Sequence, residues 1–230
     1  MSKPSTIIAP YTTIIKVYRG NGPCWGCYRF INKLVPTFTT LIKLTEYTTH
    51  NTPAFKAWFG GSKVVDKNGD PLVVYHGTSA EFTVFKPWQH FGTKEQAQYR
   101  LNMVAAGGGK ILAAYLRIEK PLLLEDVGDF DSSGEVSAAI EYRIPKLSGL
   151  HDAVISVVDS SPPHFSSEEA EGNGFALIET ELRDRGYDGI KYDNAEEGAG
   201  YSYIAFSPNQ IKSATDNSGA FSKQSDDMYK

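Results

Sequence analysis

The sequence predicts an α+β fold built from many short strands. Runs of β-branched and aromatic residues four to eight long are scattered along it, and two capped helical segments interrupt them without regular alternation. A doubly wound sheet would alternate strand and helix more evenly. Hydrophobic residues at 41% and charged residues at 22% allow a buried core. At 230 residues the chain suits one domain of ordinary size with an appendage.

The appendage is residues 1–52, a basic, β-rich arm. Tyr11–Val17 (YTTIIKV) recurs as Phe38–Leu44 (FTTLIKL), 27 residues on. Each copy reads as a short strand, so a two-stranded unit packed on the main domain is expected. Between them lie the turn-rich Gly20-Asn21-Gly22-Pro23 and the pair Cys24 and Cys27. Zinc would need two more ligands, and a redox thiol would want a helix N-terminus. The cysteines therefore read as small apolar side chains at a turn. Residues 1–58 carry a charge of +6 and the rest −10, so the arm can dock on its own acidic body or steer towards an acidic acceptor such as nucleic acid.

The main domain is expected over 53–220, with 221–230 as a polar tail. Thr52 and Pro53 start a helix over Ala54–Phe59 that Gly60-Gly61 ends. Asn68-Gly69 between β-branched runs signals a hairpin ending in Val73-Val74-Tyr75. Strands follow at Ile111–Ile118, Gly189–Tyr192 and Tyr203–Phe206, and helices at Lys94–Met103 and Phe175–Arg185. Residues 125–170 read as loop-rich around Ser160-Ser161-Pro162-Pro163. Gly107-Gly108-Gly109-Lys110 lacks the strand and spacing of a phosphate loop and reads as a connection. No apolar run approaches the roughly 18–20 residues of a membrane helix. The start shows no signal-peptide pattern, and two cysteines exclude a disulfide scaffold. A cytoplasmic protein without membrane contact is expected.

The most informative string is Val73-Val74-Tyr75-His76-Gly77-Thr78. A strand end fixes the histidine, and Gly77 lets a flat ligand approach the backbone with no Cβ in the way. The backbone N–H and C=O there could grip a carboxamide. By itself the string fits a capped strand end with a buried, satisfied histidine equally well.

Three stretches in order change that balance: Ala54–Thr78 with its Val-Val-Tyr-His-Gly-Thr, Gly186–Ile190 (GYDGI), and Tyr203–Ala214 (YIAFSPNQIKSA). Together they resemble ADP-ribosyltransferase domains of phage and bacterial polyvalent proteins, in the diphtheria-toxin and poly(ADP-ribose) polymerase branch. The resemblance covers about residues 53–220 and leaves the arm unexplained. It implies split antiparallel sheets with peripheral helices, with NAD bound as co-substrate in a cleft between them and no metal required. It implies that His76 bonds the adenosine-side ribose, that Gly77 clamps the nicotinamide carboxamide, and that Thr78 supports the ribose or the strand end. The triad tyrosine falls at Phe91 or His90, and Tyr99 suits stacking on nicotinamide.

At the third triad position the chain departs from the family. A glutamate that would stabilise positive charge on the ribose is here Ser202. Ser202 suffices for mono-ADP-ribosylation, or Glu196 or Glu197 swings in from the preceding loop, or the domain is a binding module with little catalysis. The expected activity is mono-ADP-ribosyl transfer to a protein or nucleic-acid acceptor, with His76, Ser202 and Tyr99 catalytic and His76, Gly77, Thr78, Phe91 and Tyr99 binding NAD. NAD glycohydrolysis and a degenerate interaction module are the alternatives. A phage or bacterial toxin or effector role, with an immunity or antitoxin protein as partner, comes with the resemblance and not from any residue.

Overall fold

Thr52 accepts a hydrogen bond from the Phe55 N–H (3.1 Å) and Pro53 takes the first helical position, so helix α1 runs Pro53–Phe59 and stops at Gly60, whose φ is 56°. In the computed structural model, residues 5–8, 14–17, 52–104 and 108–230 are described. The chain forms two compact units, Met1–Leu44 and Thr45–Lys230.

In the first unit, β1 (Ser5–Ile8) pairs antiparallel with β2 (Ile14–Val17), Ile7 opposite Ile15. β2 falls in the first copy of the Thr-Thr repeat, and its partner lies upstream of that copy. The second copy, Phe38–Leu44, and the pair Cys24 and Cys27 lie outside the described residues.

The second unit holds two sheets. β3 (Val74–Thr78), β5 (Lys110–Leu116) and β9 (Ile211–Ser213) form an antiparallel sheet in the order β3-β5-β9. β4 (Gln89–Phe91), β6 (Pro121–Leu124), β7 (Gly189–Asp193) and β8 (Tyr201–Ala205) form the other, ordered β4-β8-β7-β6. Tyr75 and Gly92 exchange backbone hydrogen bonds of 2.9 and 3.0 Å, so β3 meets the end of β4 where the sheets diverge.

The expectation of purely antiparallel sheets needs one correction, because β6 runs parallel to β7. A parallel pair requires a crossover, and here it is helical. α3 (Ser133–Arg143), a 3₁₀ turn at Pro145–Leu147, α4 (Leu150–Asp159) and α5 (Ser167–Asp184) fill the stretch expected to be loop-rich. Their apolar contacts form a narrow stripe of Val136, Ile140, Val154, Ile178 and Leu182, set into Leu122, Ile190, Ile204 and Phe206 of the sheet. α2 (Lys94–Val104) packs on β3. The Asn68-Gly69 signal yields a turn with a single bridge, Val65 to Pro71, in place of a full hairpin. Asp66 closes that turn by accepting from Asn68 and Asp70.

Strand alternation sorts the core. Ala114, Leu116 and Ile118 face Phe91, Tyr203 and Ala205 between the sheets, whereas Tyr115 faces Phe55, Trp58 and Phe59 of α1. Residues 221–230 are not a free polar tail. Phe221 (3% exposed) joins the α1 cluster and Met228 (2%) the inter-sheet core. Met228 also bonds by its backbone to Ser213 and Thr83, and Lys212 reaches the carbonyls of Ser225 and Asp227 at 2.8 Å each.

Candidate functional site

Where β3 leaves β4, a cleft of about 980 Å³ opens between β3, α2, the 126–131 loop, the N-terminal half of α5 and the ends of β7 and β8. That volume sits at the upper end of the roughly 300–1,000 Å³ usual for small-molecule sites.

His76 lines it. Its Nδ1 lies 2.8 Å from the His90 carbonyl, which can only accept, so Nδ1 carries the proton and a neutral ring presents Nε2 as an acceptor. Phe85 meets the ring edge-on at 5.3 Å and Phe91 packs beside it at 5.4 Å. Burial pushes the imidazole below its ordinary pKa against the pull of the His90 carbonyl, and the charge of Arg100 adds to the lowering.

Gly77 has two constraints. A Cβ there would run into the Ala97 carbonyl and come to 3.0 Å from Leu101 Cβ, so α2 can approach β3 only over a glycine. Along the strand, Tyr75 bonds outward to Gly92, and β-alternation turns the Gly77 N–H and C=O to that same open edge, beyond the last bond to β4. The pair lies on the cleft side, set to meet a donor and an acceptor on one flat group.

Thr78 is buried outside the cleft lining, and its hydroxyl accepts from the Ala80 N–H at 3.1 Å to close the strand-end turn. Phe91 (1% exposed) turns its ring into the inter-sheet core opposite Tyr203, which makes it a buttress of His76 and not a ring open to a ligand. Tyr99 stands apart. It is 48% exposed and outside the cleft lining, because Gln96, Ala97 and Arg100 turn inward and helical phase puts position 99 on the outer face.

Aromatic lining comes from His90 together with Phe130, Tyr192 and Trp88, which the sequence did not single out. Phe130 lies 4.3 Å from the Tyr192 ring, and His90 meets Phe130 edge-on at 5.3 Å. The His90 ring also shares a 3.1 Å hydrogen bond with the Tyr192 hydroxyl. Burial holds His90 at a pKa of about 4 and raises that of Tyr192. Trp88 takes a left-handed backbone (φ 60°), held by stacking on Phe206, contact with Phe175 and a bond from Nε1 to Glu179.

Ser202 is in the cleft wall but only 2% exposed. Its Oγ accepts from Asn194 Nδ2 (3.0 Å) and donates to Gln96 Oε1 (3.1 Å). Gln96 also accepts from the Thr93 N–H and donates to the carbonyls of Gly198 and Gly200. Asn194 donates to Glu197 Oε2 (2.9 Å) and accepts from the Glu197 N–H (2.9 Å). Thr93-Lys94-Glu95-Gln96 is a capping box in the sequence, a signal that would have flagged Gln96. Tyr192 could have been found from the pairing of β7 with β8, which sets it opposite Ser202.

Among the described residues, no group of three or more His, Cys, Asp or Glu side chains could hold a metal ion, and no helix is long and apolar enough to cross a membrane. Residues 66–221 match the family described as ADP-Ribosyltransferase in polyvalent proteins. No curated protein matches the chain. A solved structure titled "Crystal structure of an anti-CRISPR protein" aligns with 61% of this chain and 91% of its own, at 10% identity and a TM-score of 0.27, too slight a likeness to argue from.

Proposed function

Because the chain belongs to the family of ADP-ribosyltransferases in polyvalent proteins, we propose that it is a mono-ADP-ribosyltransferase that cleaves NAD in this cleft and passes ADP-ribose to a protein. NAD is the co-substrate of such domains. The observation that carries the reading is the end of β3. There a neutral His76, its Nδ1 committed to the His90 carbonyl, stands beside the outward N–H and C=O of Gly77. His76 Nε2 suits a ribose hydroxyl, and the Gly77 pair suits a carboxamide. Arg100 pairs with Asp131 at 3.2 Å across a solvent-exposed bridge and is free to exchange that partner for a pyrophosphate.

In the reaction the bond from ribose C1′ to the pyridinium nitrogen breaks, and its electron pair leaves with neutral nicotinamide. The acceptor's lone pair closes the new bond at C1′, and its proton passes to water in the open cleft. A protein acceptor is favoured over nucleic acid by the charge of the walls. Asp126, Asp129, Glu168, Glu171 and Glu179 line them, while the cations Lys86 and Arg100 already face Glu168 and Asp131. A polyanion would meet like charge there.

The test is labelled NAD added to a bacterial lysate with the purified chain. Label should appear in protease-sensitive, nuclease-resistant material, and His76→Ala should reduce it about 10²–10³-fold, a typical loss for removing one cofactor-orienting group. Free ADP-ribose without labelled macromolecule would make the enzyme a glycohydrolase. No binding of NAD at millimolar concentration would make the domain an interaction module.

A further inference from the structure

We propose that Glu197, on the loop between β7 and β8, supplies the carboxylate that strand position 202 lacks, and that Asn194 holds it there. The inference rests on reading the cleft as an NAD-cleaving site and names the group that faces the ribose.

Position 202 has no room for the missing acid. Ser202 is enclosed between Gln96 and Asn194. The opposite wall is as tight, since a Cβ on Gly92 would strike Gln96 Oε1 and come to 2.9 Å from Ser202 Oγ. A glutamate at 202 would have to evict the buried Gln96 amide, which four hydrogen bonds tie to Thr93, Ser202, Gly198 and Gly200. The hydroxyl is the group that fits.

The carboxylate instead arrives beside it. One nitrogen, Asn194 Nδ2, donates both to Ser202 Oγ and to Glu197 Oε2, so the acid sits two hydrogen bonds from the strand position. Asn194 Oδ1 takes the Glu197 N–H, so one buried side chain grips both backbone and carboxylate of the same residue. Gln96 pins the loop immediately beyond, at Gly198 and Gly200. Glu196 differs. It is exposed, and what is held there is its backbone N–H, 3.4 Å from Asp126. Both loop acids line the cleft, and of the two it is Glu197 whose carboxylate is held, by Asn194 Nδ2.

As the C1′–N bond breaks, its electron pair departs on nicotinamide and positive charge grows on the ribose. A fixed carboxylate at the cleft wall stabilises that charge without reorganising. The acceptor's lone pair then closes the bond and its proton goes to water.

The experiment measures nicotinamide release by the full chain and, separately, NAD affinity by calorimetry. Glu197→Gln keeps the shape and an acceptor for Asn194. It should lower kcat about 10²–10³-fold while the NAD Kd stays within about threefold. Glu197→Asp, which keeps the charge, should retain more activity than the glutamine variant. Asn194→Ala should lower kcat about tenfold with KM nearly unchanged and speed amide exchange over residues 195–201. A merely structural role for Asn194 would move KM and kcat together. An active wild type with an equally active Glu197→Gln overturns the assignment of Glu197 alone, as do equal losses in the aspartate and glutamine variants. So does a collapse of kcat in Glu196→Gln alone. A wild type that neither binds nor cleaves NAD overturns the reading of the cleft, and this inference with it.

Discussion

At the end of β3, His76 and Gly77 take their places from the pairing with β5, from the His90 carbonyl 14 residues on, and from one helix laid over Gly77. At the start of β8, Ser202 takes its place from segments nearly a hundred residues apart, with Gln96 on α2 at one side and Asn194 beyond β7 at the other. The first is a contiguous string that presents backbone and an imidazole. The second is a polar network in which each member has a partner and the acid comes from a loop. A strand end whose chemistry is done by backbone needs a glycine and a fixed helix. One whose chemistry needs a charge can import it, provided something buried holds it.

Gly77→Ala should break the first region with the largest effect. The added methyl would collide with the Ala97 carbonyl, a backbone atom that cannot turn aside. Overpacking of this kind costs about 1–3 kcal/mol, and lifting α2 also moves Gln96 and so reaches the second region. Urea unfolding should show the loss, and NAD affinity should fall by more than stability alone requires. A variant as stable as the wild type with unchanged NAD affinity would mean that α2 gives way freely and that the two regions are not coupled through it.

The contrast also marks what the sequence could and could not say. α1 was legible because Thr52, Pro53 and Gly60 act within one or two residues of the ends they set. His76 and Gly77 were legible as one contiguous string at a strand end. α3 and α4 were not, since α3 buries Val136 and Ile140 behind Ser132, Ser133 and Gly134, and α4, though largely apolar, runs straight into the loop-like Ser160-Ser161-Pro162-Pro163. The C-terminal segment was misjudged because two buried residues, Phe221 and Met228, anchor an otherwise polar stretch. The triad tyrosine position was read at Phe91 or His90. Strand alternation sends Phe91 into the core and leaves His90 on the face shared with Tyr192 and Ser202.

The link between the regions, His90, titrates, and this sharpens the comparison by a smaller effect. Its carbonyl holds His76 and its ring meets Tyr192. Burial sets its folded pKa at about 4 against the ordinary 6.5, with Asp131 opposing the shift and Arg100 and His76 reinforcing it. The unfolded chain therefore binds the proton first. The stabilisation is complete above pH 6.5 and is lost as pH falls from 6.5 towards 4, and His76, shifted the same way, adds to it. The contribution of His90 is on the order of 3 kcal/mol. Urea midpoints between pH 7.5 and 4.5 should show wild type losing this stability and His90→Gln losing distinctly less. Parallel curves for the two proteins would place the acid sensitivity elsewhere.

The smallest effect is expected at Tyr99, and it tests how the cleft's aromatic lining is assigned. The resemblance makes Tyr99 the ring to stack on nicotinamide, yet α2 turns it to the outer face, half exposed, while Phe130, Tyr192 and Trp88 line the cleft. A partly exposed ring on a helix surface contributes little packing, and tyrosine has a poorer helical propensity than alanine. Tyr99→Ala should therefore leave stability within about 0.5 kcal/mol and both kcat and KM for NAD within about twofold. Phe130→Ala should raise KM for NAD clearly more, because it removes a ring from the cleft itself and unseats its partner Tyr192. If the order were reversed, with the Tyr99 variant losing NAD affinity and the Phe130 variant keeping it, the bound nicotinamide would have to lie against the outer face of α2. The cleft edge beside Gly77 could then not be the place where its carboxamide is held.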